Sequence, residues 1–234
     1  PFDVSSRDNG VVQFAADGPS DGADPVSLVK DFLRACAAGT NDDYATARLF
    51  LTESSASNWK PEEEVLVHES DTENTPTIAP RDGDDESDSA VTVTVSFTAI
   101  ASVDSVGILT HSPHTTIDQE YSLVRKGGQW RIESPADVVV MSRSAFTASH
   151  QLANLYFPAA TQDALVADPR WLPSRRLAGH LLDGLAKGPR PSLSAAVVNA
   201  IAAGGPTPSR GVEMTERTAK VDLSGPEPAS EQAA

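Results

Sequence analysis

The chain has 234 residues, 39% hydrophobic and 6% aromatic, so it can bury one large core or two modest ones. Its 33 acidic and 18 basic side chains give a net charge of −15, which argues against nucleic acid or an anionic membrane surface as a partner. Cys36 is the single cysteine and excludes an internal disulfide, and no apolar run approaches the length of a membrane-spanning helix.

The negative charge is concentrated in the first part of the chain. Residues 1–150 contain 25 acids and 10 bases, whereas residues 151–234 contain eight of each. This step in charge predicts two units of different character. We place them at residues 24–148 and 149–224, between an extended arm (1–23) and a flexible tail (225–234). Because the sequence starts at Pro1 with neither a methionine nor a signal peptide, we expect either a trimmed piece or a mature fragment.

The first unit is predicted to begin with helices. Asp24 and Pro25 form an N-cap followed by proline at the first helical position, and Gly39 supplies the stop. Apolar residues recur between them at helical spacing: Leu28, Val29, Phe32, Leu33 and Cys36. A second helix is predicted over residues 42–50. Thr52 can cap a third that reaches toward Trp59.

After the helices the apolar period changes from 3.6 to 2. Val91, Val93, Val95, Phe97 and Ala99 alternate with hydroxyl side chains, which predicts a half-buried antiparallel strand. Further along, Gly127 and Gly128 predict a tight hairpin, with Trp130 and Ile132 on its buried face. The first unit is therefore predicted to be α+β, with helices followed by a curved antiparallel sheet.

An acidic segment interrupts the strands. Residues 62–88 contain 11 acids and one base, Arg81. Val65 and Val67 mark a first strand, and we expect a solvated loop over residues 69–88, self-repelling above all at residues 81–88. A calcium loop of the EF type counted from Asp82 would require glycine at Ser87 and glutamate at Val93, so that pattern fails.

The second unit is predicted to be a smaller α/β domain with the order β, α, α, β, β. It starts near His150 with an apolar segment that Pro158 halts. Two amphipathic helices follow, one around Leu181 and one over residues 193–201, and a strand pair is predicted at 212–214 and 219–223.

Candidate chemical sites are few. His111 and His114 flank Pro113 in a predicted loop, a geometry unsuited to a metal, and Cys36 lies on the apolar face of the first helix. Neither a nucleophile elbow nor a phosphate-binding glycine loop is present. The remaining candidate is a group that could bind a partner, an anion or a sugar: Arg170, Trp171, Arg175 and Arg176. The alternative for this group is the salt-bridged start of a helix.

Several ordered blocks carry a family resemblance. In the first unit they are residues 43–48 and 128–132; in the second they are residues 155–157, 165–173, 181–189 and 219–224. Their order resembles the actinobacterial lipoprotein family LpqB, whose members have an N-terminal domain like nuclear transport factor 2 (a cystatin-like fold), a sporulation and germination (GerMN) domain and a C-terminal β-propeller. Against this pattern the GerMN-like part looks incomplete and the propeller is absent.

The resemblance implies a non-catalytic lipoprotein, anchored by lipid to the outer face of the cell membrane through a cysteine upstream of Pro1. It implies association with the extracellular domain of the sensor kinase MtrB, and modulation of that two-component system in cell-wall homeostasis and cell division. It implies no catalytic residue, cofactor or metal.

An enzymatic alternative also follows from this resemblance. Sheets of the first domain's type can enclose an apolar pocket, and some relatives are isomerases with an inward-facing Asp and Tyr. Asp118 and Tyr121 are the candidates here, but three residues apart on one strand they face opposite ways unless a bulge intervenes. A small-ligand pocket or an isomerase in the first unit is thus the second hypothesis.

Overall fold

The computed structural model describes residues 16–69, 76–80, 89–199, 207–208, 212–215, 218–221 and 223–224. Most of the predicted arm, the acidic run at 81–88 and the tail at 225–234 lie outside the described residues. The described part mixes helices with sheets that are antiparallel except for one strand pair, which confirms the α+β class. The division into two domains stays a prediction.

The first helix begins and ends where the sequence predicts. In α1 (Pro25–Ala38) the Asp24 carboxylate accepts hydrogen bonds from Ser27 N at 3.0 Å and Ser27 Oγ at 2.6 Å. Gly39 follows, and its missing side chain matters because a Cβ there would collide with the ring of Tyr44.

The second and third helices are short. The predicted helix over residues 42–50 is confined to α2 (Ala45–Arg48), because Asp43 and Tyr44 adopt left-handed φ angles of 57° and 60° that a right-handed helix does not allow. Thr52 caps α3 (Glu53–Asn58) by accepting from Ser55 N at 3.3 Å, as predicted.

The main sheet contains β1 (Glu64–His68), β2 (Thr77–Pro80), β3 (Ala90–Asp104), β4 (Leu109–Lys126), β5 (Gln129–Ser134) and β6 (Val139–Ser142). Its order is β5-β4-β3-β1-β6, with β2 also pairing with β3. All pairs are antiparallel except β1 with β6. The pairings contain three shifts in register, two of them in the β3 pairings, and bulges of this kind are where a sheet bends and twists more strongly.

The core lies between α1 and the concave face of this sheet. Phe32 contacts both Trp59 and Tyr121, with ring centroids 5.4 Å and 5.8 Å apart. The Trp59 indole donates to Ala136 O at 2.8 Å, which ties α3 to the segment before β6. Cys36 is buried in this core, as its place on the apolar helix face predicts.

Three expectations for the first unit need correction. Strand β2 lies inside the segment that was predicted to be a solvated loop. His111 and His114 are exposed, but they belong to β4 rather than to a loop. Trp130 is only half-buried: it sits beside the hairpin turn, where Arg125 covers it at 5.5 Å, while Ile132 occupies the core.

Helix α4 (Arg143–Ser149) leads from the first unit, whose core contains Phe146, into the second. The second unit has a two-stranded antiparallel sheet of β7 (His150–Pro158) and β8 (Leu165–Pro173), followed by α5 (Leu177–Lys187). One face of this sheet packs against α5, and its small core consists of Leu155, Phe157 and Val197. Gly184 lets α5 come close, because a Cβ there would lie 2.9 Å from Leu155 Cδ1.

The second predicted helix of this unit, over residues 193–201, is wrong for its described part. Val198 N donates to Pro158 O at 2.8 Å and Ala160 N donates to Ala196 O at 2.9 Å, so this backbone pairs with the end of β7 instead of coiling. The predicted strand pair is confirmed as β10 (Glu213–Thr215) with β11 (Thr218–Lys220); the short strands β9 (Thr207–Pro208) and β12 (Leu223–Ser224) also pair. None of the helices in the described residues is long and apolar enough to cross a membrane.

Candidate binding surface at the junction of the two units

The second unit contacts the first through the turn between β3 and β4. Trp171 N donates a hydrogen bond to Gly107 O at 2.8 Å. Gly107 has a φ of +83°, and a Cβ at this position would lie 2.7 Å from Trp171 O. Only glycine combines this backbone angle with so close an approach. The junction is therefore a tight contact between two backbones.

A buried ionic network lies beside this contact. Asp168 is 0% exposed and Arg170 is 1% exposed, on the α5-facing side of β8. Arg170 donates to the Asp168 carboxylate through Nε at 3.1 Å and Nη2 at 2.6 Å. Arg190 adds hydrogen bonds to the same carboxylate from its backbone N at 2.9 Å and from Nε at 2.5 Å. All of the strong acceptor positions of Asp168 are thereby used.

Arg170 also links the two units directly. Its Nη1 donates to Val106 O at 2.7 Å, in the β3–β4 turn of the first unit. Lys187 Nζ donates to Ser105 O at 3.0 Å in the same turn. Desolvation acts to raise the pKa of Asp168, but the hydrogen bonds from Arg170 and Arg190 outweigh it and hold the pKa below its usual value. We call the buried network of Asp168, Arg170 and Arg190 the clasp, because Arg170 joins it to the first unit.

The four residues of the predicted binding group are not brought together in one exposed patch. Arg170 is buried, because Asp168, Val106 and Gly188 take its hydrogen bonds. Trp171 is half-buried, with its ring 5.1 Å from Phe146. Arg175 and Arg176 are exposed. Of the predicted group, these two arginines and the outer part of Trp171 remain accessible to a partner.

Arg176 marks the start of α5 and forms an ion pair with Asp43 of the first unit. Both side chains are 62% exposed, so this pair adds little stability. Its geometry agrees with the alternative interpretation, the salt-bridged start of a helix. Arg176 therefore lies at the contact between the units, and the exposed Arg175 precedes it in the chain; we call these two residues the arginine seam (Arg175 and Arg176).

Sequence reasoning missed a buried histidine at this junction. His150 lies in a cleft of about 90 Å³ between the units, which Tyr44, Trp171 and His180 also line. Its ring stacks on Phe146 at 4.7 Å, and its Nδ1 lies 2.9 Å from Ser149 Oγ. Burial lowers the pKa of His150 to about 4, and the nearby His180 acts in the same direction. His150 is therefore held neutral in the folded protein.

The residues of the enzymatic alternative lie apart. Tyr121 is buried in the core and its hydroxyl has no hydrogen-bond partner among the described residues, whereas Asp118 is exposed on the opposite side of the same strand. Burial raises the pKa of the Tyr121 phenol. No register shift separates the two residues along the β3–β4 pairing. Within the described part of the chain, no group of three His, Cys, Asp or Glu side chains could hold a metal ion.

Comparison with known proteins places the chain in a family context. The family model "Lipoprotein LpqB, N-terminal domain" matches residues 18–147. A "Lipoprotein LpqB" from Nocardia farcinica is 33% identical over 188 residues, which cover 79% of this chain and 30% of the relative. One from Bifidobacterium longum is 34% identical over 66% of this chain and 27% of the relative. A third, from Corynebacterium jeikeium, is 30% identical over 78% of this chain and 30% of the relative.

The relatives are longer than this chain. It spans about 30% of the length of the relatives it matches. No solved structure matches it.

Proposed function

The chain belongs to the LpqB family of lipoproteins, and from that premise we propose that it is a non-catalytic interaction module. In this proposal the longer protein is held by lipid on the outer face of the cell membrane. The module contacts the extracellular domain of an MtrB-type sensor kinase and modulates that two-component system, which serves cell-wall homeostasis and cell division. The proposal for the whole protein rests on the family membership of this part.

The observation that best supports a binding function is the clasp at the junction of the two units. Asp168 and Arg170 are fully buried, and Arg170 reaches across to Val106 O, so the two units are joined by a charged group with its hydrogen bonds satisfied. Buried networks of this kind specify one arrangement better than they add stability. A fixed junction presents residues of both units to a partner as one surface, with the arginine seam at its centre.

The ionisable groups support binding more than chemistry. Among the described residues, the buried groups with shifted pKa values are Cys36, Tyr44, Tyr121, His150 and Asp168. Only Tyr44 and His150 line one cleft, and burial is the main cause of both of their shifts. Arginine and tryptophan are residue types that often contribute much of the energy of an interface, and here Arg175 is exposed and Trp171 is half-buried four residues before it in the chain.

The uneven distribution of net charge along the chain also supports a binding function. Residues 1–150 carry a net charge of −15 and residues 151–234 carry none. The acidic part should attract a basic partner over long range and speed its association, an effect that salt weakens. Short-range contacts at the arginine seam would then set the dissociation rate.

A binding measurement with charge-reversal variants tests the proposed surface. The extracellular domain of the sensor kinase is immobilised, and rate constants are measured for the parent chain and for Arg175→Glu/Arg176→Glu. We expect the double variant to bind at least about tenfold more weakly, mainly through faster dissociation. Loss of the exposed Arg176–Asp43 pair should leave the fold intact.

The matched control is Lys30→Glu/Arg34→Glu, which reverses two exposed charges on α1. It changes the net charge by the same amount, so it should reproduce only the general electrostatic effect on association. Equal affinities for the two double variants would contradict the arginine seam as the binding surface. A parent chain that does not bind would remove the kinase as its direct partner.

A further inference from the structure

Among the residues that the structure describes, strand β7 has one edge that is almost without backbone partners, which we call its bare edge. Its nine residues, His150–Pro158, include no Asp, Glu, Lys or Arg. One edge pairs along its whole length with β8. On the other edge the described residues make contact only at the end, where Val198 N donates to Pro158 O and Val197 pairs with Ala159. Soluble proteins usually protect such an edge with charged side chains, proline or a bulge, because unpaired backbone groups attract another strand.

The contact at Pro158 fixes which residues face the bare edge. Pro158 O points away from β8, and backbone groups in a strand alternate in direction. The N–H and C=O groups of Tyr156, Asn154 and Leu152 therefore also point away from β8. Their side chains lie on the face opposite α5, where Leu152 is 57% exposed and Tyr156 is 52% exposed. Asn154 is exposed between them.

We propose that the bare edge of β7 pairs with β7 of a second copy of the chain. The two strands run antiparallel about a two-fold axis at Asn154, and the paired hairpins form a four-stranded sheet. Asn154 then lies opposite Asn154 of the partner subunit, and Leu152 lies opposite Tyr156 of the partner subunit. All three residues face the edge with their backbone groups, so each opposing pair can exchange hydrogen bonds.

The sequence of β7 is complementary to itself in this register. An aliphatic side chain meets an aromatic one on each side of the axis, which is a favourable cross-strand pair. The two central amides can bond to each other across the axis. A chain with a net charge of −15 resists self-association over most of its surface, but β7 brings no charged side chain to the interface. An isologous pair of this kind closes on itself and does not propagate.

A single cysteine tests the geometry. In a hydrogen-bonded antiparallel pair the opposing Cα atoms are about 5.5 Å apart, within the range that a disulfide spans. We expect Asn154→Cys to form a disulfide-linked dimer under mild oxidation. The native thiol does not compete, because Cys36 is buried.

The control is Ala167→Cys, an exposed site on β8 directly across from Tyr156. Three strand spacings of about 4.8 Å would separate it from its copy across the new sheet, too far for a disulfide. Ala167→Cys should therefore stay monomeric on a non-reducing gel. Equal cross-linking of both variants would show random collision and overturn the proposed register.

The association itself is measured by sedimentation of the parent chain and of Asn154→Lys. The variant puts two like charges opposite each other at the axis, at an exposed site where the fold does not depend on the side chain. We expect a concentration-dependent dimer for the parent and a monomer for the variant, with identical circular dichroism. A parent that stays monomeric up to about 1 mM, or a variant that dimerises equally, would overturn the proposal. The proposal would also be overturned if Asn154→Cys, mixed with the sensor domain or with a longer form of the chain, formed disulfides with either of these in preference to a second copy of itself.

Discussion

Replacing Arg170 by Met should lower the free energy of unfolding by about 3–5 kcal/mol, in the range found for breaking one side of a buried ion pair. The variant leaves Asp168, which is 0% exposed, with only the hydrogen bonds from Arg190. It also leaves Val106 O without its donor across the junction. Urea unfolding at neutral pH, followed by circular dichroism, measures the loss.

The control for this prediction is a variant that removes the exposed ion pair between Arg176 and Asp43. Arg176→Met removes the ion pair with Asp43, both of whose side chains are 62% exposed, and should cost less than about 1 kcal/mol. Asp168→Leu in the Arg170→Met background should recover part of the lost stability, because the unpaired buried carboxylate is then gone. If Arg170→Met unfolds at nearly the same urea concentration as the parent, the clasp does not hold the junction.

Lowering the pH should decrease the free energy of unfolding, because His150 is buried in its neutral form. Burial lowers its pKa from 6.5 to about 4, so between these values the unfolded chain binds a proton that the folded chain excludes. The stabilising effect of neutral His150 is complete above pH 6.5 and is lost as the pH falls toward 4. The slope expected from this one group is about 1.4 kcal/mol per pH unit over most of that window.

Other ionisable groups surround the cleft, so the slope of unfolding free energy against pH has to be compared between the parent and a variant. His180, Glu62, Asp104, Asp183 and Lys187 also line it, so the pH dependence of the parent alone does not isolate His150. His150→Gln removes only the histidine's contribution, so its stability should fall less steeply between pH 6.5 and pH 4.5 than that of the parent. His111→Gln, at an exposed position, should keep the parent's slope. Parallel curves for parent and His150→Gln would refute a neutral, buried His150.

Local sequence signals predicted much of the fold. Asp24 and Thr52 cap their helices through side-chain bonds to nearby backbone, which depend on a few residues only. The alternation from Val91 to Ala99 is buried as its period predicts. The helix predicted after Leu193 failed because a long-range pairing with β7 won over local helical spacing. Similarly, β2 exists because β3 offers it an edge, which no local pattern announces.

The junction was harder to predict for a specific reason. Asp168 and Arg170 stand two apart in a strand, so they share a face with Val166 and Leu172, which is an apolar face. Opposite charges at this spacing on such a face are a signal for a buried pair, and sequence reasoning instead assigned Arg170 to the surface. Its contact with Val106 joins residues 64 positions apart, which only the tertiary fold reveals. His150 has no sequence signal, because its burial depends on Phe146 and on both units meeting.

Control of a sensor kinase is the central claim, and kinase autophosphorylation in membrane vesicles tests it most directly. The vesicles contain the sensor kinase alone or together with the longer, lipid-anchored protein, in its parent form or with Arg175→Glu/Arg176→Glu. We predict that the parent changes the rate of phosphorylation and that the double variant, present in equal amount and folded, does not. A phosphorylation rate that is the same with and without the parent protein would contradict the proposed function.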